Sequence, residues 1–279
     1  MLVSANIADI RQKRWEQPAS TWGLVPTMGA LHAGHLSLAK RAVSENDHAC
    51  ATIFVNPTQF APGEDLDKYP RTLDGDLEIL ESAGIEMVFT PTPAEMYPEG
   101  FGTRVIVEGI TSKLEGASRP THFDGVTQVV SKLFNIVQPT RAYFGQKDAQ
   151  QTVVLKKMVR DLNFNLDLVI CPTVREPDGL AMSSRNRFLT PEQRPHASVL
   201  FRALQTAAYM IKSGERDASQ IRQAMTEMVH TTPEANLVYA SVANGIILDE
   251  LESIEGDVLL SMAVQFGQTR LIDNMPITA

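Results

Sequence analysis

Leu24-Val25-Pro26-Thr27-Met28-Gly29-Ala30-Leu31-His32-Ala33-Gly34-His35-Leu36 is the stretch on which the fold turns. The apolar run over residues 22–25 reads as a β-strand, and Leu36, Leu38, Ala39, Ala42 and Val43 come after it at helical spacing. Between them lie two glycines and two histidines. A strand, a glycine-bearing turn and a helix N-terminus make an anion site. The free N–H groups of the first turn point at whatever sits there, and the helix dipole favours negative charge. His32 and His35 are three residues apart, so on a helical first turn they share one face. Two imidazoles beside a phosphate-sized site suit the charge of a pentacovalent phosphorus transition state.

Two histidines in a polar surface loop are the bland alternative, and an isolated H-x-G-H tetrapeptide is a short pattern. Its place after a first strand and before an amphipathic helix favours the functional reading. The tetrapeptide resembles the H-x-G-H signature of the nucleotidyltransferase superfamily, which includes class I aminoacyl-tRNA synthetases.

A chain of 279 residues accommodates two domains. With 43% hydrophobic and 21% charged residues, it has the balance of an ordinary soluble globular protein. A net charge of −8 argues against a nucleic-acid grip, which needs clustered Lys and Arg, but leaves ATP open as a substrate. Residues 1–6 lack the basic region and apolar core of a signal peptide. No apolar run approaches the roughly 18 residues that span a bilayer. Cys50 and Cys171 sit in apolar, strand-like surroundings without a C-x-x-C pair and read as buried free thiols. A cytoplasmic location is expected, with no membrane partner.

Residues 1–20 read as a basic surface helix. Residues 49–55 read as a strand buried on both faces, residues 73–83 as a helix closed by Gly84, and residues 87–90 as a third strand. The irregular stretch 91–120 holds a candidate edge strand at 104–107. Asp124 is placed to cap a periodic helix through Val126, Val129, Val130, Leu133, Phe134 and Val137. Next come a strand at 141–144, a helix capped by Asp148 and a strand at 166–170. This alternation predicts an α/β fold with a Rossmann-like, doubly wound parallel sheet over residues 1–174. Past Pro172 it stops. Thr190-Pro191-Glu192-Gln193 reads as a capping box for a helix at 192–212, and a second helix is expected at 217–230. Strands at 237–243 and 258–266 complete a smaller α+β C-terminal domain, residues 175–279. Its first loop is expected to fold over the sheet's ligand edge.

Open α/β sheets bind ligands off the carboxyl ends of their strands. The segments just past the predicted strands therefore make up the candidate site: Pro26 to His35, Asn56 and Gln59, Gly145-Gln146-Lys147-Asp148 with Gln151, and Pro172 to Arg175. Lys147, Asp148 and Gln151 crowd one helix start, where a solvated helix face is the bland reading. Gln59 alone is an ordinary turn residue. Met182-Ser183-Ser184-Arg185-Asn186 reads either as solvated loop or as a mobile element closing over phosphates.

Together these motifs resemble the pantothenate synthetase (pantoate–β-alanine ligase) family. The matching pieces are Pro26 to His35, Phe54-Val55-Asn56-Pro57-Thr58-Gln59-Phe60, Tyr69-Pro70-Arg71, Arg119-Pro120-Thr121-His122-Phe123, Phe144-Gly145-Gln146-Lys147-Asp148-Ala149-Gln150-Gln151 and the run from Val174 to Asn186. Gln146 stands where the family usually has glutamate. The resemblance implies condensation of (R)-pantoate with β-alanine through a pantoyl adenylate, releasing AMP and pyrophosphate. It implies Mg²⁺ with ATP, no protein ligand for it being named, and a homodimer. It implies that Pro26, Thr27, Met28, Gly29, Ala30, Leu31, His32, Ala33, Gly34 and His35 hold ATP together with Gly145, Gln146, Lys147, Asp148, Val174, Met182, Ser183, Ser184 and Arg185. His35, His32 and Lys147 carry catalysis on that reading, and Gln59 and Gln151 bind pantoate. Two alternatives stand beside it. A cofactor-forming nucleotidyltransferase would want extra cations for a phosphorylated acceptor. A dead nucleotide-binding or tRNA-associated module would have lost His32, His35 or Lys147, or would carry a basic face.

Overall fold

In the computed structural model, which describes residues 1–61, 63, 64 and 66–279, six strands form one parallel sheet. They are β1 (Leu2–Ser4), β2 (Trp22–Thr27), β3 (His48–Ile53), β4 (Met87–Phe89), β5 (Arg141–Gly145) and β6 (Asp167–Cys171), in the order β1-β4-β3-β2-β5-β6. Helices connect them: α1 (Ile7–Trp15), α2 (Ala33–Glu45), α3 (Leu73–Ser82), the short α4 (Pro93–Met96) and α5 (Leu114–Ser118), α6 (His122–Val137) and α7 (Ala149–Asp161). Alternate strand residues serve opposite faces. Val25, Ala49, Ala51, Val88 and Tyr143 pack with Leu38, Ala39 and Ala42 of α2 and Leu80 of α3. Leu24, Cys50, Met87, Phe89 and Ala142, equally buried, supply the other face.

Chain order reverses between β2 and β5, which makes that junction the topological switch point. The two strands pair only at Gly23–Arg141 and Leu24–Ala142, whereas β2 pairs with β3 along its whole length. Pro26 has no N–H to give, and pairing with β5 ends before it. The carboxyl ends of β2 and β5 therefore part where the His32–His35 loop begins.

The chain divides into two compact units, Met1–Gly145 with Val154–Cys171, and Gln146–Val153 with Pro172–Ala279. In the second, α8 (Val199–Lys212) and α9 (Ala218–His230) pack on an antiparallel sheet, β7 (Ala235–Asn244), β8 (Asp257–Phe266) and β9 (Thr269–Thr278). Its core joins Leu200, Leu204 and Ile211 of α8, Ile221 and Met225 of α9, and Leu260, Met262 and Val264 of β8. No helix among the described residues is long and apolar enough to cross a membrane. Cys50 and Cys171 are free and buried, and burial pushes both thiols up from their ordinary range.

Several local expectations need correction. Residues 1–20 are not one surface helix: Leu2–Ser4 pairs with β4 as the sheet's edge, and Ile10 of α1 is fully buried. Residues 104–107 form no strand. The Val105 N–H bonds Gln128 Oε1 at 3.1 Å and its carbonyl accepts from Thr127 Oγ1 at 2.5 Å, so side chains of α6 replace a ladder. Asp124 lies inside the first turn of α6 rather than capping it, and its carboxylate pairs with Arg104 at 2.6 Å. Thr190 and Gln193 do exchange reciprocal bonds at 3.2 and 3.3 Å, yet the α-helix begins only at Val199. Pro195 sits in a 3₁₀ turn, where its missing N–H is tolerated. The strand β9 is an addition to the expected elements.

Candidate active site

The first turn of α2 is built from its own two histidines. His32 is the N-cap residue, in extended conformation, and its Nδ1 accepts the Gly34 N–H at 3.1 Å. The His32 N–H in turn donates to Nδ1 of His35 at 3.3 Å. This is a capping box made with imidazoles instead of Ser and Glu. The ring centroids lie 4.2 Å apart. Because both Nδ1 atoms accept backbone N–H groups, each neutral ring carries its proton on Nε2. The cap thus sets both tautomers and makes each Nε2 a donor. Gly34 is required by this geometry: a Cβ there would meet His32 Cε1 at 2.8 Å and Nδ1 at 2.9 Å.

The loop that delivers the pair is held in unusual backbone conformations, with φ of 95° at Gly29 and 51° at Ala30. A non-glycine residue in the left-handed region needs support from its surroundings. Asp76 of α3 supplies it. Its carboxylate, in a residue 2% exposed, accepts the N–H groups of Ala30 and Leu31 at 2.8 Å each and the Thr72 hydroxyl at 3.1 Å. Sequence reading missed Asp76. Nothing in its local context distinguishes it from Asp74, two residues earlier on the same helix.

Gln59 ends the 3₁₀ turn Pro57–Gln59 after β3 and is 8% exposed. Its carbonyl is gripped by His122 Nδ1 at 2.9 Å and by Arg119 Nη2 at 3.3 Å. A carbonyl only accepts, so His122 holds its proton on Nδ1, leaving Nε2 to accept from Arg119 Nη1 at 3.3 Å. Arg119 is itself paired through two bonds, 2.8 and 2.6 Å, with Glu64, which holds that carboxyl below its usual range. Gly125 lets α6 approach the turn, since a Cβ there would lie 2.4 Å from the Thr58 carbonyl. Gly145 closes β5, and a Cβ added there would meet nothing within 4 Å.

In the second unit, Gln146–Asp148 forms a 3₁₀ turn and Lys147 Nζ pairs with Asp148 at 3.1 Å. Gln151 lies in the first turn of α7, half-buried. The Met182 N–H bonds the Val174 carbonyl at 2.9 Å, and Ser183 Oγ accepts the Arg185 N–H at 3.2 Å, capping the 3₁₀ segment Ser184–Phe188. Two adjacent residues of β9 connect these pieces. Asp273, 2% exposed, pairs with both ends of the Arg175 guanidinium at 2.5 and 2.9 Å. Burial raises the Asp273 carboxyl while Arg175 opposes the rise. Asn274 accepts from Gln146 Nε2 at 2.9 Å and donates Nδ2 to the carbonyls of Gln146 (2.9 Å) and Lys147 (2.8 Å).

That clamp explains the glutamine at 146. Asn274 Nδ2 faces two carbonyls, so its Oδ1 must face residue 146, and only a donor there completes the set. Gln146→Glu would put a carboxylate against Oδ1. The expected result is a loss of stability of about 1–3 kcal/mol and a several-fold fall in turnover through a loosened Lys147 backbone. Thermal melting and kcat measure both, and unchanged values would show that Asn274 tolerates either residue.

Among the described residues, no group of three or more His, Cys, Asp or Glu side chains is arranged to hold a metal ion.

Comparison with known proteins places these features. The family model for pantoate-beta-alanine ligase matches residues 3–276. The chain is 54% identical to the pantothenate synthetase of Roseiflexus castenholzii over 279 residues, 100% of both chains. It is 55% identical to that of Acetivibrio thermocellus over 253 residues, 91% of this chain and 90% of the other. Among solved structures, pantothenate synthetase from Thermus thermophilus superposes with a TM-score of 0.94 at 45% identity, covering 99% of each chain. The pantoate-beta-alanine ligase of Francisella tularensis, solved with Beta-gamma ATP and beta-alanine, gives a TM-score of 0.81 at 36% identity over 99% of this chain and 97% of the other.

Proposed function

Because the chain belongs to the pantoate-beta-alanine ligase family, we propose that it works through a pantoyl adenylate and that His32, His35 and Lys147 serve the first step. The chain is a ligase of pantothenate biosynthesis, joining (R)-pantoate to β-alanine with ATP as the energy source. A carboxylate resists attack by an amine because its oxygen is a poor leaving group. In the first step a pantoate carboxylate oxygen bonds the α-phosphorus and the bond to pyrophosphate breaks. In the second, the free-amine nitrogen of β-alanine attacks the acyl carbon and gives up one of its two protons, keeping the other as the amide N–H, and AMP departs with the electrons of the acyl–oxygen bond. The mixed anhydride must be kept from water meanwhile, a task we assign to residues 175–279 as a lid on the domain of residues 1–174.

The observation that carries this reading is the imidazole capping box. Two Nε2 donors whose tautomers are set by backbone are preorganised for charge that grows on phosphate oxygens. The other ATP contacts are assigned to Pro26 to Gly34, Gly145 to Asp148, Val174 and Met182 to Arg185. Lys147 neutralises the triphosphate, with Ser183, Ser184 and Arg185 at its distal end. Gln59 and Gln151 hold pantoate. Mg²⁺ is assigned to the phosphates of ATP and water, with no protein ligand named, and it would screen phosphate charge when bound. The reading includes a cytoplasmic homodimer without nucleic-acid or membrane partners.

The test is isotope exchange. Labelled pyrophosphate should enter ATP with only ATP, Mg²⁺ and pantoate present, and β-alanine added afterwards should yield pantothenate and AMP. A cofactor-forming transferase would exchange only with a phosphorylated acceptor, and a dead module not at all. ADP and phosphate as products would overturn the reading by placing attack at the γ-phosphorus.

A further inference from the structure

We propose that Tyr97 is a positioning residue for the reaction, its hydroxyl holding Asn56 in the pose from which Gln59 presents N–H rather than carbonyl to pantoate. The inference rests on the assignment of Gln59 to pantoate and adds to it which end of the amide does the binding and what orients it.

The polarity runs outward from backbone. Asn56 is 1% exposed. Its Oδ1 receives the Thr58 N–H at 3.4 Å and its Nδ2 reaches the Gly125 carbonyl at 3.1 Å. A backbone N–H only donates and a carbonyl only accepts, so these two groups decide which end of the Asn56 amide is which. The second Nδ2 hydrogen goes to Gln59 Oε1 at 3.1 Å. With its oxygen turned to Asn56, Gln59 presents Nε2 at its other end. In this structure that nitrogen faces Met28 Sδ at 3.1 Å, a weak acceptor. The atom it would recognise is an oxygen with a free lone pair, such as a carboxylate or hydroxyl oxygen of a hydroxy acid.

Tyr97 secures the arrangement from outside the turn. Its hydroxyl donates to Asn56 Oδ1 at 2.8 Å, shorter than either bond from Thr58, at 3.0 Å from Oγ1 and 3.4 Å from the backbone. The Thr58 bonds are local and move with the turn, whereas Tyr97 sits just past α4 and stands 41 residues away. Its ring is edge-on to Phe101, with centroids 5.3 Å apart, and Lys132 Nζ lies 5.9 Å from its centroid. Burial raises the phenol above its ordinary value, so the hydroxyl keeps its proton at neutral pH and remains a donor.

Steady-state kinetics of the full-length enzyme test this, with the pantoate KM, the ATP KM and kcat measured for Tyr97→Phe, Gln59→Ala and the double variant. Tyr97→Phe keeps the ring and its packing, and melting confirms the fold. The expected result is a pantoate KM raised about three- to tenfold, an ATP KM within about twofold of the parent, and little further effect of Tyr97→Phe once Gln59 is alanine. An unchanged pantoate KM in Tyr97→Phe would overturn the proposal while leaving Gln59 in place. So would equal rises for both substrates, or a full effect in the double variant. Tyr97→Leu losing activity while Tyr97→Phe keeps it would reduce Tyr97 to ring packing. An unchanged pantoate KM in Gln59→Ala would instead remove the underlying assignment, and the proposal with it.

Discussion

His35→Asn is expected to lower turnover by about 10²–10³-fold while leaving the stability of the enzyme nearly intact. The asparagine Oδ1 reaches the position of the imidazole Nδ1, so the His32 N–H keeps its acceptor and the first turn of α2 stays capped. Nothing in asparagine replaces Nε2, the donor assigned to the phosphate oxygens. His35→Ala removes both functions and should add a stability loss of about 0.5–2 kcal/mol to the same kinetic defect. His35→Gln is the converse: its amide nitrogen reaches toward the Nε2 position but no atom remains for the cap, so part of the turnover should return with reduced stability. Saturating-substrate kcat and thermal melting on the three variants separate the roles. Parental turnover in His35→Asn would exclude Nε2 from the chemistry. Equal melting points for His35→Asn and His35→Ala would show that the cap contributes nothing.

What was legible in the sequence was what is local. The strand at residues 22–27 and the helix at 33–45 announce themselves by an apolar run followed by helical spacing, and both ends of the imidazole cap lie within four residues. Three residues of edge strand at Leu2–Ser4 carry too little pattern to be seen. Residues 105–107 are all β-branched, as strand residues often are, but α6 side chains take the backbone N–H and carbonyl of Val105. The strand β9 was hidden by its own function. Asp273, Asn274 and Pro276 look like a turn, whereas the first two are buried polar residues paired with Arg175 and the Gln146–Lys147 backbone. Supporting residues escaped for the same reason: Asn274 is 127 positions from Lys147, and Asp76 is 46 from Ala30. The residues assigned to ligands cluster in short motifs after strands, while the residues that hold them come from wherever the fold brings a partner.

Asp76 should be among the most sensitive residues of the first unit although it is assigned no contact with substrate. Asp76→Ala leaves the N–H groups of Ala30 and Leu31 buried without acceptors, at about 1–3 kcal/mol each. It also frees a loop whose φ values at Gly29 and Ala30, 95° and 51°, persist only under restraint. Asp76→Asn isolates the cause. The amide has nearly the shape of the carboxylate, but one of its two ends is now a donor facing a donor, so one bond is lost and replaced by a repulsive contact. The expected loss for the asparagine variant is about 2–4 kcal/mol, read from the denaturation midpoint at constant m-value. Turnover should fall with it even where the variant is fully folded, since the loop carries His32 and His35 to the carboxyl end of β2. Asp76→Glu should do no better, because a further methylene in a residue this enclosed displaces the acceptor from both N–H groups. Parental stability in Asp76→Asn would mean that the two N–H groups find other acceptors and that the loop holds its conformation without the carboxylate. A destabilised variant with parental turnover below its melting range would confine Asp76 to folding and separate it from the histidine pair.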